Sequence, residues 1–185
     1  MRFNYYNINT RIKMAYHRYF KTVLCVYIIK RSSCPSNETY QIRVAESLYQ
    51  LSTIKCNDDF LRTAQKRFSI GHRLFFYCDN EKIVGTGWIT RKTSSFYAWE
   101  IANAIHFQNS VEVLYDFYVH PDFRRRGIYK SLLRSIINDS IEKDSLFAIY
   151  AESSNYASNK AIVDTGFELV GQLSHFSNNV IIKKE

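Results

Sequence analysis

Ten consecutive residues, His120-Pro121-Asp122-Phe123-Arg124-Arg125-Arg126-Gly127-Ile128-Tyr129, set three arginines and a glycine directly ahead of an apolar helical stripe. Ile128, Leu132, Leu133, Ile136, Ile137 and Ile141 recur at helical spacing, so the glycine stands at a helix N-terminus. The first N–H groups of a helix have no intrahelical acceptor, and the positive end of the helix dipole lies there, which together suit an anion such as a phosphate. Gly127 lets the backbone come close to that anion, and the neighbouring arginines can add charge-assisted hydrogen bonds. An arginine triplet alone reads as a solvated basic cluster. The strand expected before it, Val111 to Val119, and the helix after it favour the anion site.

A second constellation follows about 30 residues later, where Asn155-Tyr156-Ala157-Ser158 precedes Gly166-Phe167. By itself this is a strand–helix–strand turn with Asn155 as the helix cap. His72 and His120 are lone histidines with no partner at catalytic or metal-ligand spacing. The four cysteines, Cys25, Cys34, Cys56 and Cys78, contain no CxxC pair and no companion histidine spacing that completes a zinc tetrahedron, so they read as reduced thiols and no metal is expected.

The elements that must position these residues can be read from pattern. Lys21 to Lys30 reads as a first strand, closed by turn chemistry at Ser32 to Ser36, and Asn9 to Phe20 as a basic helix before it. Thr39 to Val44 reads as a short strand. Asp58 and Asp59 open a helix carrying Phe60, Leu61, Ala64 and Phe68 on one face, with Gly71 as its C-terminal cap. Arg73 to Cys78 and Lys82 to Thr90 flank Asp79-Asn80-Glu81 as a hairpin. Gly85 and Gly87 inside the second strand mark a bulge or a close backbone approach. Then come the strand Val111 to Val119, a helix over Gly127 to Lys143, a strand Leu146 to Ala151, a short helix Tyr156 to Thr165, and closing strands Phe167 to Val170 and Val180 to Lys183. The class is mixed α/β (α+β), antiparallel in front with a βαβ unit behind.

With both motifs placed on their elements, the sequence resembles the GNAT superfamily of acyl-CoA N-acyltransferases. Arg124-Arg125-Arg126-Gly127-Ile128-Tyr129 resembles that family's R/Q-x-x-G-x-G/A loop, and Asn155-x-x-Ser158 with Gly166-Phe167 resembles its N-x-x-S/A…GF segment. The resemblance covers about residues 40 to 184. It implies a largely antiparallel mixed sheet with flanking helices, splayed by a bulge in the 111–119 strand, and acetyl-CoA lying in the opening. The backbone of Phe117, Tyr118 and Val119 would pair with the pantetheine arm. The N–H groups from Arg125 to Tyr129 would hold the pyrophosphate, and Asn155 would touch the pantetheine.

Two positions depart from the pattern. Tyr129 stands where the family has a small residue. Ile162 stands seven residues after Asn155, where many members carry a tyrosine that acts as acid to the leaving thiolate. A weaker likeness, carried by Gly71-His72-Arg73, Gly87-Trp88, Leu114-Tyr115-Asp116-Phe117 and Arg126-Gly127-Ile128-Tyr129, points to members associated with cell-surface polysaccharide assembly. It implies an amino sugar, free or nucleotide-linked, as acceptor. An alkyl amine with a pKa of about 10.4 must lose a proton before it attacks. Asp116 and Glu100 are the candidate bases, against plainer readings as a hydrogen-bonded strand carboxylate and an exposed charge.

Composition bounds the alternatives. The 185 residues are 46% hydrophobic with only 6 Gly and 2 Pro, which excludes a disordered or collagen-like chain. The +8 net charge is concentrated at the start: residues 1 to 31 hold Arg2, Arg11, Lys13, Arg18, Lys21, Lys30 and Arg31 and no acid, while the rest nearly cancels. That divides the chain into a basic appendage, 1–38, and an acyltransferase domain, 39–185. The apolar run Thr22 to Ile29 is far short of the ~20 residues that span a bilayer and lacks a signal-peptide cleavage site, so a cytoplasmic protein is expected. The leading expectation is N-acetylation of a small-molecule amine. Acetylation of a protein N-terminus or lysine, a non-catalytic acyl-CoA-binding module and a nucleic-acid binder using the basic segment are the alternatives, nucleic acid the least favoured. A dimer is one option for the oligomeric state.

Overall fold

The computed structural model describes residues 22–33, 40–140, 142, 144–177 and 181–182. The helix expected over Asn9 to Phe20 lies outside them. Strand β1 (Val23–Lys30) is followed by a 3-10 turn, Arg31–Ser33, then β2 (Arg43–Ala45) and a second 3-10 turn, Leu48–Leu51. Helix α1 (Asp58–Ser69) leads into β3 (Arg73–Asp79), β4 (Lys82–Ile89), β5 (Thr93–Ala98) and the long β6 (Asn103–Val119). A 3-10 turn at Pro121–Phe123 precedes α2 (Ile128–Asp139), β7 (Leu146–Glu152), α3 (Tyr156–Val163), β8 (Glu168–Ser174) and β9 (Ile181–Ile182).

Local chemistry explains most boundaries. Asn57 caps α1 by accepting the Phe60 N–H at 2.8 Å, with Asp58 and Asp59 in the first turn and Gly71 at φ +76 just past its end. The β3–β4 turn puts Asn80 (φ +46) and Glu81 (φ +63) in the left-handed region, the type I′ geometry that matches strand twist. Helix α2 stops at Asp139 rather than Lys143. Its C-cap Ser140 is extended, and the Ser140 hydroxyl bonds that of Ser145 at 2.9 Å across the loop into β7. Strand β5 and residues 103–110 of β6 form an arm that the expected single strand over 111–119 did not include.

The strands run in the order β2-β3-β4-β6-β7-β1-β8, with β5 and β9 pairing the arm of β6. Strand β1 lies between β7 and β8, antiparallel to both, and Leu24 to Ile29 are all buried. This part of the expected 1–38 appendage is therefore interior sheet. Two of its end cations also serve the fold: Lys30 pairs with Asp144 at 2.5 Å and Arg31 donates to the Asn138 carbonyl at 3.2 Å. Removing residues 1–31 would delete a doubly paired strand, so that truncation tests folding before it tests any binding by the basic segment.

Helices α2 and α3 cover one face of the sheet, where Leu132, Leu133, Ile136 and Ile137 pack on Phe75, Leu114, Phe147 and Ile149. On the other face α1 lies over Leu74, Phe76, Trp88 and Tyr115. Beside it the β5–β6 arm sets Ala98, Ile101, Ile105 and Phe107 on Leu24, Val26 and Ala148.

The feature that matters for function is a divergence. Strands β6 and β7 are parallel partners only at Glu112↔Phe147, Val113↔Ala148 and Leu114↔Ile149. Past Leu114, β6 stays with β4 while β7 stays with β1. A bulge accompanies the parting: the β4–β6 register shifts between Trp88↔Tyr115 and Thr86↔Tyr118, and Asp116 sits at φ +50. An extra residue in one strand bends it and increases its twist. Gly87 accommodates the bulge, because a Cβ there would lie 2.3 Å from Cε1 of Phe117. Gly85 does the same for α2, whose Ile128 Cγ2 comes within 2.7 Å of where its Cβ would be.

Gly87→Ala should therefore lower stability by about 1 to 3 kcal/mol in urea melts, the cost typical of overpacking. Adding Phe117→Ala should recover most of that loss. Equal loss in both backgrounds would show that Phe117 is not what the glycine accommodates.

Candidate functional site

The divergence opens a cavity of about 650 Å³ between the end of β6, the arginine loop and the first turns of α2 and α3. Phe117, Tyr118, Val119, Arg124, Arg125, Gly127, Ile128, Tyr129, Asn155 and Ser158 all line it. Arg126 does not. Its guanidinium stacks 4.9 Å over the Phe123 ring, and its carbonyl accepts the Tyr40 hydroxyl at 2.6 Å.

The loop is built to present backbone donors. Gly127 is the N-cap of α2 at φ +90 and has no side chain with which to cap, so the N–H groups of the first turn are left for a ligand. Arg125 is also left-handed, at φ +62, which turns the chain sharply between the 3-10 turn and the helix. Arg124 folds back and donates from Nε to the Val119 carbonyl at 3.1 Å, bracing the end of β6. Asn155 caps α3 by accepting the Ser158 N–H at 3.2 Å while also facing the cavity. Ile162, within α3, is fully buried, so no acid stands at that position.

Tyr129 turns inward, its ring edge-on to Phe117 at 5.1 Å, and it lines the cavity together with Ser158. Burial pushes its phenol above the ordinary value, with the nearby Tyr27 adding to the rise.

The candidate bases gather on the opposite face. Asp116 is 57% exposed and pairs with Arg67 Nη1 at 2.6 Å. The Arg67 guanidinium is held over Trp88 at 4.7 Å and Tyr115 at 5.0 Å. Glu100, in the turn between β5 and β6, acts electrostatically on the Tyr150 hydroxyl. Its Oε2 is shut off from solvent with no hydrogen-bond partner among the described residues. Burial raises the Tyr150 phenol, and Glu100 and then Asp116 raise it further, so both carboxylates act on one hydroxyl near the end of β7. Tyr115 is pushed to about 12, chiefly by burial, and its hydroxyl lies 2.6 Å from His72 Nδ1.

Pattern reading missed Tyr150, Arg67 and Tyr40. Tyr150 lies in an apolar strand run, Arg67 in the last turn of a surface helix, and Tyr40 is 86 residues from its partner. His120 ends β6 through its N–H to the Val84 carbonyl at 2.8 Å, outside both groups.

A larger crevice, about 790 Å³, opens at the other ends of the strands. Most of its charges are paired among themselves: Arg73 meets Asp139, Glu112 at 3.6 Å and Glu46 at 4.0 Å, and Lys92 meets Glu142. It offers no uncapped helix N-terminus. The smaller cavity is therefore the candidate site. Among the described residues no group of three or more His, Cys, Asp or Glu could hold a metal.

Residues 38–167 match the acetyltransferase (GNAT) family. Among solved structures the chain is similar to a GNAT-family acetyltransferase from Colwellia psychrerythraea, with a TM-score of 0.57 and 20% identity over 83% of this chain and 54% of that one. A GNAT-family structure from Novosphingobium aromaticivorans gives 0.53 and 11%, over 82% of this chain and 61% of that one. A GCN5-related N-acetyltransferase from Sphaerobacter thermophilus gives 0.53 and 12%, over 89% and 54%. The chain thus spans roughly half to three-fifths of the length of these three structures. None of the curated proteins matches it.

His72 offers a pH test of this geometry. Burial, then Arg67 and Arg91, hold its imidazole below the usual 6.5, so the folded state favours the neutral ring. Stability should then fall as pH drops below about 6.5, where the unfolded chain takes up the proton first. In urea melts from pH 7.5 to 5, His72→Gln should be less acid-sensitive than the wild type; an identical pH slope would refute the assignment.

Proposed function

The chain belongs to the GNAT family of acetyltransferases, and from that premise we propose that it is an acetyl-CoA-dependent N-acetyltransferase acting on a primary amine of a small molecule. The observation that carries the reading is the cavity at the β6–β7 divergence, which combines an uncapped helix N-terminus, Arg125 and an unpaired edge of β6. The residues fit the donor. The pyrophosphate would lie on the N–H groups at the start of α2 beside Arg125. The pantetheine would run along Phe117 to Val119, where β6 has lost β7 as a partner, with Asn155 on the far side. The Val119 carbonyl is already taken by Arg124 and Tyr118 turns its backbone groups toward β4, which leaves Phe117 and the Val119 N–H as the main strand contacts.

Acetyl-CoA supplies an activated acyl carbonyl with a thiol as leaving group. The amine approaches from the opposite face, where Glu100, Asp116 and Tyr150 converge. Glu100 accepts the proton of the attacking amine: its orphaned Oε2 lacks the one thing an ammonium provides, a donor. Asp116, exposed and held by Arg67, attracts and orients the cation. Proximity in the cleft contributes much of the rate. The two carboxylates and the likeness to polysaccharide-assembly members support an amino sugar, free or nucleotide-linked, as acceptor. The reading implies a cytoplasmic enzyme with access to acetyl-CoA. Among the described residues no helix is long and apolar enough to cross a membrane.

Acetyl-CoA at a hundredfold excess over its Kd should add about 2.7 kcal/mol of stability, read as a rise in Tm. Gly127→Val should abolish the rise, and an unchanged rise would remove the helix terminus from the site. In an amine screen that starts with amino sugars, Glu100→Gln should lower kcat by about 10² to 10⁴ while keeping the acetyl-CoA thermal shift. If Asp116→Asn alone produced that loss, the base would be Asp116.

A further inference from the structure

Nitrogen attack on the thioester breaks the C–S bond and sends its electron pair to sulfur. The inner wall of the cavity is apolar, built from Phe117, Ile128 and Ala161, and a bare thiolate is poorly solvated there. Something must meet that charge. Ile162, one turn beyond Ser158, is buried in the core and offers no polar atom. The hydroxyl of Tyr129 is placed for the task. Its ring rests against Phe117, it lines the cavity together with Ser158, and it packs on the cluster that holds Tyr27, which is in register with Ile149, the last β7 residue paired to β6. The hydroxyl therefore sits near the point where the two strands part.

Building on the acyl-CoA reading, we propose that Tyr129 is a catalytic residue that donates a hydrogen bond to the departing sulfur and keeps its own proton, so that CoA leaves as the thiolate. The balance closes without an acid. The amine proton goes to Glu100, the acyl carbon exchanges sulfur for nitrogen, and the anionic sulfur is stabilised in place.

Acid strength decides between donating a hydrogen bond and transferring a proton. A thiol ionises near about 8.5 and an unperturbed phenol near about 10. Burial raises Tyr129 further, so giving up its proton to the thiolate is uphill. The same burial makes the hydrogen bond stronger, because little water competes for it. The other charges near this hydroxyl are consistent with an anion: Arg125 lines the cavity, and Lys130 is neutralised by Asp164 at 2.7 Å. The large side chain where the family pattern has a small one thus has a function of its own.

The test compares CoA with desulfo-CoA, by calorimetry and by ultraviolet titration of the bound thiol, on the wild type and Tyr129→Phe. On the wild type the bound thiol should ionise at lower pH than free CoA, and CoA should gain affinity over desulfo-CoA as pH rises past about 8.5. Tyr129→Phe should abolish both effects while retaining desulfo-CoA affinity and Tm, and should lower kcat by about 10²- to 10³-fold with the amine KM unchanged. If Tyr129→Phe leaves the thiol ionisation and the affinity ratio unchanged, Tyr129 does not meet the sulfur and only this inference falls. If the wild type binds neither CoA nor desulfo-CoA, the acyl-CoA reading falls, and this inference with it.

Discussion

The parting of β6 from β7 past Leu114 and Ile149 is the constraint on which both faces of the candidate site depend. Parallel strands stay together as long as their ladder continues. Here the ladder ends after three pairs, because an extra residue at Asp116 bends β6 toward β4. The bend needs room, and Gly87 leaves it by having no side chain where the Phe117 ring lies. On the helical face the gap becomes a cavity with backbone donors. On the other face it brings Asp116, Tyr115 and Tyr150 together beneath Glu100.

Holding such a gap open requires a firm frame around it. Strand β1 supplies one side by pairing with β7 along seven residues, so β7 keeps its place after losing β6. The Ser153 N–H also bonds the Val23 carbonyl at 2.8 Å, which fixes the entry to α3. On the other side Arg124 ties the loop to the Val119 carbonyl, and Tyr40 pins the Arg126 carbonyl from outside. The four residues of the arginine loop thereby divide three kinds of work. Arg124 braces, Arg126 stacks outward, and Arg125 and Gly127 face the cavity.

The charges are sorted by face. The cavity side gathers backbone N–H groups and arginine, while the opposite side gathers carboxylates around tyrosine hydroxyls. An anionic donor and a cationic acceptor would each meet complementary charge, separated by the thickness of one sheet. Much of the positive charge that dominates the composition lies in the first 21 residues, outside the described residues.

Local pattern determined a good deal. Alternation, helical spacing, the Asn57 and Asn155 caps and the positive-φ glycines carry their information within a few residues, so the helices, the hairpin and the anion-ready loop are legible from neighbours alone. The loop and Asn155–Ser158 segments could be paired because both lie at helix starts, where the residue types that fit are few. What the sequence did not disclose depends on distant partners. Strand β1 reads as an appendage until its two neighbours, β7 and β8, come from the last quarter of the chain. The arm of β5 and β6 and the meeting of Glu100 with Tyr150 are likewise decided by packing across the sheet. Tyr129 reads as a departure from pattern, and only its position between Phe117 and Ser158 gives its hydroxyl a role. Helix and turn preferences act over a turn or two of backbone, whereas which strands pair, and where they part, is settled by burial and ladder hydrogen bonds between residues tens of positions apart at β6 and β7 and more than a hundred apart at β1.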